Sequence, residues 1–208
     1  MKGRVSGIKQ TSNLEQTDYM HLKEQIKTAL ARHERVPMAP GPVQAAVLVP
    51  LFLKNGAYHI LFTKRSENMT HHRGEISFPG GVYQPEDIDT LRTALRETWE
   101  ETGILPEDVE ILGVLDDFLS IHNYLVTPYV GMVAARHTLR INPDEIDRIV
   151  EVPLDFLRGS DIFMIEEFDW QGRIYPRHFL TYEGDKIQGL TAAVLKQFLE
   201  IISADNVA

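Results

Sequence analysis

Strand-like segments on both sides of one central helical segment constrain the fold of this chain more than any other feature. Residues 45–53 form an apolar run, and an Asn-Gly pair typical of tight turns connects it to a second apolar run at 58–63. Residues 88–102 have the spacing of an amphipathic helix, which Asp87 or Asp89 would cap at its start and a glycine would end. This alternation is typical of proteins in which helices cover a β-sheet.

Further patterns complete the expected architecture. Strands are predicted at 109–115, 125–135 and 177–182, a short helix or turn at 153–157, and amphipathic helices at 19–33 and 190–202. We therefore expect an α/β fold with α/β/α layers around a mixed β-sheet. Prolines between residues 37 and 42 mark a linker, which divides the chain into an N-terminal extension at 1–40 and a main domain at 41–208. The first helix would pack on the body or on a partner subunit, so a homodimer stays open.

The composition excludes several classes of function. The formal net charge of −9 disfavours nucleic-acid binding, which normally requires a basic surplus. The chain has no cysteine, which excludes disulfides, thiolate catalysis and Cys-ligated zinc. No apolar stretch reaches the roughly 20 residues of a membrane helix, and residues 1–16 lack a signal-peptide pattern. The sequence predicts a cytoplasmic protein without a membrane partner. A protein this acidic acts on phosphates only where bound cations reverse the negative electrostatic potential at the site.

Three carboxylates share one face of the predicted central helix. At 100° per residue, Glu97, Glu100 and Glu101 fall within a sector of about 100°. The apolar stripe expected to pack on the sheet lies opposite and comprises Ile88, Leu91, Leu95, Thr98 and Thr102. Like charges at this spacing repel by about a few tenths of a kcal/mol per pair, so a compensating partner is expected. Such carboxylates suit a hard divalent cation, Mg²⁺ or Mn²⁺, and a solvated acidic face is the alternative.

Arg96 adjoins this acidic sector. Its guanidinium is predicted to orient a carboxylate through a bidentate pair. The pattern Arg-Glu-x-x-Glu-Glu-x-Gly at 96–103 would arise by chance in on the order of one in 10⁴ chains of this length. It follows a Pro-Gly-Gly sequence at 79–81 by about one helix length, and that sequence itself follows a strand-like segment.

The whole stretch resembles the Nudix box: Gly, five residues, Glu, seven residues, then Arg-Glu-aliphatic-x-Glu-Glu-x-Gly-aliphatic. Gly81 takes the position of the first glycine, and residues 96–104 match the second half except at Thr98. Asp87 stands where the box has its first Glu, with eight residues instead of seven before Arg96. The additional residue resembles a variant of the coenzyme A pyrophosphatase branch of the Nudix hydrolase superfamily.

The resemblance to that branch extends beyond the box. Its signature, Leu-Leu-Thr-x-Arg-Ser/Ala, then Arg, Gly and Phe-Pro-Gly-Gly at fixed spacing, is similar to 61–66, Gly74 and 78–81. The chain departs from the branch at Thr70, where a second Arg is usual, and at Gln188, where a Trp is usual. The resemblance implies a metal-dependent hydrolase that cleaves coenzyme A or an acyl-CoA to 3′,5′-ADP and a phosphopantetheine, with Mg²⁺ or Mn²⁺ as cofactor.

The resemblance also implies roles for the acidic residues. Glu97, Glu100 and Glu101 would bind the metal ions, with Arg96 as a residue that orients them. In Nudix enzymes the general base is a glutamate of the box or of a later loop, and the candidates here are Glu100 and Glu145. Bound divalent ions would neutralise the phosphates and lower the pKa of a water molecule.

Residues before the box would contact the substrate. Gly80 and Gly81 would permit a backbone turn close to the metal ions and phosphates. Arg65 would contact a phosphate or the nucleotide. The basic cluster at 71–73 is a candidate for an anionic tail such as the 3′-phosphate of coenzyme A. The predicted partner is therefore a small-molecule nucleotide, with neither nucleic acid nor membrane involved.

Three alternatives remain open from the sequence. The departures at Thr70 and Gln188 leave room for hydrolysis of ADP-ribose, a dinucleotide or a sugar nucleotide. A non-catalytic nucleotide-binding sensor domain is the second alternative, although such a domain usually lacks some of the box carboxylates. The third is a structural helical protein whose acidic face is only solvated.

Overall fold

The centre of the molecule is a mixed β-sheet between helices. The computed structural model describes the ranges 21–39, 43–67, 73–134, 139–159 and 161–204. Within these ranges the chain forms an eight-stranded sheet and a separate three-stranded antiparallel sheet. This architecture confirms the predicted α/β fold with a mixed sheet.

The elements follow one another along the chain as the periodicity predicts, with additions. The strands are β1 (Val43–Lys54), β2 (Ala57–Arg65), β3 (Ile76–Ser77), β4 (Gly80–Val82), β5 (Val109–Val114), β6 (Phe118–Leu119), β7 (Tyr124–Val133), β8 (Ile146–Pro153), β9 (Met164–Trp170), β10 (Arg173–Tyr182) and β11 (Asp185–Gln188). The helices are α1 (21–32), α2 (Thr90–Thr102), α3 (Leu154–Leu157) and α4 (Gly189–Ala204), with a 3₁₀ turn at Pro106–Asp108. Residues 19, 20 and 135 of the predicted elements lie outside the described residues.

At one end of the sheet, the segment that carries β3 and β4 lies between β1 and β2. β1 pairs in parallel with β7 and, at Leu51–Lys54 only, antiparallel with β2. Further along, β4 takes the place of β2 beside β1, and β3 pairs with β2 at Thr63 and Lys64. The amide of Leu48 donates to the carbonyl of Pro79 (2.9 Å), which attaches the segment that carries β3 and β4 to β1. This segment places β4 in the middle of the sheet, beside α2.

Local hydrogen bonds define both ends of α2. The Asp89 carboxylate accepts a hydrogen bond from the amide of Arg92 (2.8 Å), which satisfies a donor that the first helical turn leaves unpaired. Gly103 ends the helix in the left-handed conformation (φ 78°), and its amide donates to the carbonyl of Trp99 (2.8 Å). Of the two predicted capping residues, Asp89 therefore caps the helix.

The face of α2 that packs on the sheet differs from the predicted stripe. Ile88 precedes the helix and is 84% exposed, so its predicted place in the stripe is wrong: the cap at Asp89 starts the helix after it. The buried residues are mostly small, namely Thr93, Ala94, Leu95, Thr98, Glu101 and Thr102. Small side chains let the helix lie close to the sheet, which carries one glutamate, Glu101, into the interior.

The opposite face of the sheet holds the larger core. Successive residues of a strand point to opposite faces, so Ala46 and Leu48 of β1 pack with α2, and Val49 and Leu51 pack with α1, α3 and α4. Ile26 and Leu30 of α1 are buried in this core. The division of the chain near residue 40 stays a prediction. No helix of the described residues is long and apolar enough to cross a membrane.

Candidate active site

Arg96 is the hub of an ion-pair network on α2. Its Nε and Nη2 atoms each donate to one carboxylate oxygen of Asp87 (2.9 Å and 2.9 Å). Its Nη1 atom donates to Glu97 (2.8 Å) and to Glu100 (3.0 Å). The hydrogen bonds from Arg96 lower the pKa of Asp87 to about 2 despite its burial. The bidentate partner is thus Asp87, the residue at the altered position of the box.

Gly80 and Gly81 let the backbone pass closely beneath α2. They lie in the strand β4 rather than in a turn. A Cβ atom at Gly81 would lie 2.5 Å from the carboxyl carbon of Glu97, and a Cβ atom at Gly80 would lie 2.3 Å from the carbonyl oxygen of Ala46. Any side chain at Gly81 would therefore displace the Glu97 carboxylate.

Glu101 is a buried acid with few hydrogen-bond donors. It is 2% exposed. The Thr63 hydroxyl donates to its Oε2 atom at 3.4 Å, and a guanidinium nitrogen of Arg65 lies 3.8 Å from its Oε1 atom. Burial raises the pKa of Glu101 to about 8; Arg65 opposes this shift, and the nearby charges of Glu97 and Glu145 add to it. The donors and positive charges around Glu101 are therefore too few to compensate the negative charge of its ionised carboxyl.

Glu145 lies beside these acids although it is distant in sequence. The amide of Asn142 donates to the carbonyl of Glu101 (3.2 Å), which attaches the loop before β8 to α2. The Asn142 side chain donates to the Glu145 carboxylate (3.2 Å). Burial raises the pKa of Glu97, and the charges of Glu100 and Glu145 raise it further against the opposing effect of Arg96. The four carboxylates therefore share one electrostatic environment.

The donor set fits a hard divalent cation. Oxygen ligands that are buried close to one another favour such an ion, which would lower the raised pKa values of Glu97 and Glu101. The Nε atom of Arg65 is buried and has no hydrogen-bond partner among the described residues, so it can donate to an anionic ligand. Within the described ranges, no three His, Asp or Glu side chains converge as a ready metal centre, and Arg96 holds an oxygen of Glu97. The predicted metal ligands stay a prediction.

The predicted site residues differ in exposure and in their distance from the buried acids. It brings Glu97, Glu101, Glu145 and Arg65 together, whereas the Glu100 side chain is 43% exposed and reaches the group through Arg96. Residues 70, 71 and 72, including most of the proposed basic cluster, lie outside the described residues.

Asp87, Thr63 and Asn142 contact the site residues although the sequence predicts no site role for them. The sequence does contain a signal for Asp87, because this residue takes the place of the first glutamate of the Nudix box. Thr63 belongs to the quoted signature, which also pointed to its neighbour Arg65. Asn142 carried no comparable signal, because its contacts depend on the tertiary structure.

The sequence pattern of the NUDIX domain matches residues 42–175, which is more than half of the chain. The chain belongs to the Nudix family. It is a Nudix hydrolase, a pyrophosphohydrolase that acts on a phosphoanhydride bond, as the sequence predicts. Nudix hydrolases act on small-molecule nucleotides and generally use divalent metal ions.

Curated relatives support the family assignment. This Nudix hydrolase is 36% identical to an uncharacterized Nudix hydrolase, NudL, of Pectobacterium atrosepticum, over 77% of this chain and 83% of the relative. It is 34% identical to the peroxisomal coenzyme A diphosphatase NUDT7 of Mus musculus, over 71% of this chain and 65% of the relative. It is 37% identical to the chloroplastic Nudix hydrolase 22 of Arabidopsis thaliana, over 76% of this chain but 55% of the relative. The chain thus spans less than two thirds of the mouse and plant proteins.

Solved structures confirm the Nudix fold. The Nudix hydrolase aligns with an Ap4A hydrolase of C. elegans at a TM-score of 0.51 and 19% identity, over 79% of this chain and 98% of the other. It aligns with a MutT protein of Methanosarcina mazei Go1 at a TM-score of 0.51 and 19% identity, over 85% and 99% of the two chains. At this identity the likeness concerns the fold alone.

Proposed function

We propose that this Nudix hydrolase cleaves the pyrophosphate of coenzyme A or an acyl-CoA into 3′,5′-ADP and a phosphopantetheine. The observation that carries the proposal is the contact of Thr63 and Arg65 with Glu101. Both residues belong to the segment that resembles the coenzyme A branch, and Glu101 belongs to the Nudix box. Residues of the branch signature therefore lie against an acid of the Nudix box. The similarity to a mouse coenzyme A diphosphatase supports the same substrate.

The proposed roles follow from burial and pairing. Glu97, Glu100 and Glu101 would hold Mg²⁺ or Mn²⁺, which would neutralise phosphate charge and lower the pKa of a water molecule at the site. The unpaired Nε–H of Arg65 donates to a phosphoryl oxygen. Arg96 holds Glu97 and Glu100 in orientation through Nη1.

Glu145 is the proposed general base, because it lies beside the buried acids and is free of Arg96. Glu100, the alternative base, is exposed and bound to the guanidinium of Arg96. A carboxylate that accepts a proton needs a free oxygen directed at the water that it activates. One oxygen of Glu145 accepts from Asn142, and the other accepts no hydrogen bond from the described residues, which leaves it for this role.

A substrate panel with product identification tests the proposal. Coenzyme A, acetyl-CoA, ADP-ribose, a diadenosine polyphosphate and a UDP-sugar are each incubated with Mg²⁺ or Mn²⁺, and the products are identified by mass spectrometry. We expect coenzyme A to yield 3′,5′-ADP and phosphopantetheine, whereas ADP-ribose would yield AMP and ribose phosphate. The Glu101→Gln protein, purified identically, is the control for a contaminating activity. Intact coenzyme A together with consumed ADP-ribose would overturn the proposed substrate.

The remaining expectations concern partners and location. A net charge of −9 favours a small nucleotide over nucleic acid or an anionic membrane as the partner. A cytoplasmic location is a proposal, since relatives with bacterial, peroxisomal and chloroplastic names occur. A homodimer is likewise a proposal, which light scattering on the purified protein would test.

A further inference from the structure

Five hydrogen bonds converge on Asn142, in the loop before β8. Its backbone amide donates to the carbonyl of Glu101 on α2 (3.2 Å), and its side-chain amide donates to the carboxylate of Glu145 (3.2 Å). Its side-chain oxygen accepts from the amide of Asp144 (3.2 Å). Its carbonyl oxygen accepts from the amides of Glu145 (3.1 Å) and Ile146 (2.8 Å). One residue therefore connects the helix that carries the acids with the acid of the loop.

The local sequence makes this connection stiff. An asparagine whose side-chain oxygen accepts from the amide two residues later forms an Asx turn, which mimics a backbone turn. Pro143 follows and fixes one backbone dihedral angle near −65°. The amide of Ser66 donates to the carbonyl of Glu145 (2.8 Å), so β2 holds the far side of the loop. The backbone around Glu145 is thus fixed from α2 and from β2.

A fixed backbone does not fix the Glu145 carboxylate. Its side chain has three rotatable bonds, and it repels the carboxylates of Glu97 and Glu101, because its charge lies close enough to raise the pKa of both groups. Repulsion favours rotamers that point into solvent. Of the hydrogen bonds described at Asn142, the donation from its side-chain amide is the one that holds the carboxylate itself. A hydrogen bond to an ionised acceptor is stronger than one between neutral groups and can offset that repulsion.

We infer that Asn142 is a positioning residue of the hydrolase, which holds the Glu145 carboxylate in register with the acids of α2. The inference rests on the proposed function, in which Glu145 removes a proton from the attacking water. Asn142 itself does not contact the reacting atoms in this account. It acts through Glu145, so its effect on turnover depends on the presence of that carboxylate.

Two substitutions separate the two tasks of the Asn142 side chain. Asn142→Asp keeps the oxygen that accepts from Asp144, removes the amide donor and adds a repelling charge. Asn142→Ala removes both the acceptor and the donor. Both variants keep the backbone bonds to Glu101 and Ile146. We expect each to lower kcat about 10- to 100-fold on coenzyme A with Mn²⁺, with KM changed less than about threefold. Wild-type kcat in Asn142→Asp, with loss only in Asn142→Ala, would assign the effect to the turn and overturn the inference.

A double-mutant cycle tests whether Asn142 acts through Glu145. In a Glu145→Gln background, Asn142→Ala should lower kcat no further, within about twofold, because the carboxylate that it positions is absent. Losses that multiply in the double variant would show an independent, structural effect and would contradict the inference. Thermal melting of all variants shows whether each is folded. If Glu145→Gln alone keeps full activity, the proposed base is wrong; if it is inactive while Asn142→Ala is fully active, only the positioning role is wrong.

Discussion

Two pairs of part-buried or buried acids in this hydrolase have opposite surroundings. Asp116 and Asp117, at the edge of the sheet, accept hydrogen bonds from the segment that follows α1. The Asp117 carboxylate accepts from Arg35 (2.6 Å), from the amide of Met38 (2.9 Å) and from the hydroxyl of Thr127 (2.7 Å). Burial raises its pKa, but these donors outweigh burial, so the pKa of Asp117 lies below its ordinary value. The pair attaches the N-terminal segment to the sheet.

Glu97 is part-buried and Glu101 is buried, and neither has such a set of donors. Burial dominates, and the pKa of Glu101 rises to about 8. A buried carboxylate therefore has a structural role where the fold supplies hydrogen-bond donors. Where the fold supplies few donors, the protein does not compensate its negative charge. Burial alone does not distinguish the two, whereas the count of donors does. Glu97 and Glu101 form the pair whose charge a divalent cation would compensate.

The largest effect is expected from Glu101→Gln. Loss of this proposed metal ligand should reduce kcat/KM by about 10³-fold, equivalent to roughly 4 kcal/mol of transition-state stabilisation. The folded protein should be no less stable, because an amide replaces an acid whose ionisation the fold disfavours. Steady-state kinetics and urea unfolding measure both, with Glu200→Gln, an exposed acid on α4, as the matched control. Full activity in Glu101→Gln would remove this residue from the site.

In contrast to Glu101→Gln, Asp117→Asn should lower the stability of the protein and leave its activity nearly unchanged. The substitution leaves Arg35 and two further donors facing an amide, so we expect a loss of about 2 to 3 kcal/mol in the free energy of unfolding. The kcat of the folded fraction should stay within about twofold. Because the folded pKa of Asp117 is depressed, its stabilisation is present above pH 3.8 and is lost as the pH falls through the lower folded value. The difference between variant and wild type should therefore narrow in acid. Asp147→Asn, at an exposed position, is the control, and an equal loss in that variant would contradict the contrast.

The pH dependence of metal binding should reveal the raised pKa of Glu101. Below about pH 8 its carboxyl is protonated in the metal-free protein, and a cation must displace that proton. The apparent affinity for Mn²⁺ should therefore rise about tenfold per pH unit between about pH 6 and pH 7.5. Calorimetry in buffers of different ionisation enthalpy counts the released proton. An affinity without pH dependence in this range would show that Glu101 is already ionised.

Thr63→Val should give the smallest effect of the four. The substitution keeps the shape of the buried side chain and removes the hydroxyl that donates to Glu101. We expect the Mn²⁺ concentration that gives half-maximal activity to rise about tenfold, the lower end for residues that orient metal ligands. Thr63→Ser keeps the hydroxyl and should behave like the wild type. Equal behaviour of the Val and Ser variants would assign Thr63 to packing only.

Local periodicity predicted most of the fold. The Asn55-Gly56 turn forms as expected, with positive φ at both residues (52° and 78°), and joins β1 to β2. The longest strands that the predictions missed are β8 and β9. β8 pairs with β2 at the edge of the sheet and carries charged residues among its apolar ones, and β9 consists of exposed and part-exposed positions with three acids. Neither segment alternates strictly between apolar and polar residues in its sequence, which is the pattern that predicts a strand.

The site was predictable only where its residues share one helix. The helical period placed Glu97, Glu100 and Glu101 on one side of α2, opposite the packed face; the structure instead buries Glu101 with the packed face and leaves Glu100 exposed. The contact of Thr63 with Glu101 joins residues 38 positions apart, and the pairing of β2, β3 and β4 creates it. Periodicity within a segment carries no information on such contacts, so the roles of Thr63 and Asn142 had to come from the tertiary structure.

The burial of α1 affects how the enzyme can be shortened. Leu30 lies so close to Gly113 of β5 that a Cβ atom there would come within 2.7 Å of the leucine. The matched family region begins at residue 42, after this helix. A protein that begins at residue 42 would keep every acid of α2 and yet expose the hydrophobic surface under Ile26 and Leu30. The region that matches the family is thus shorter than the stretch of chain that completes the hydrophobic core.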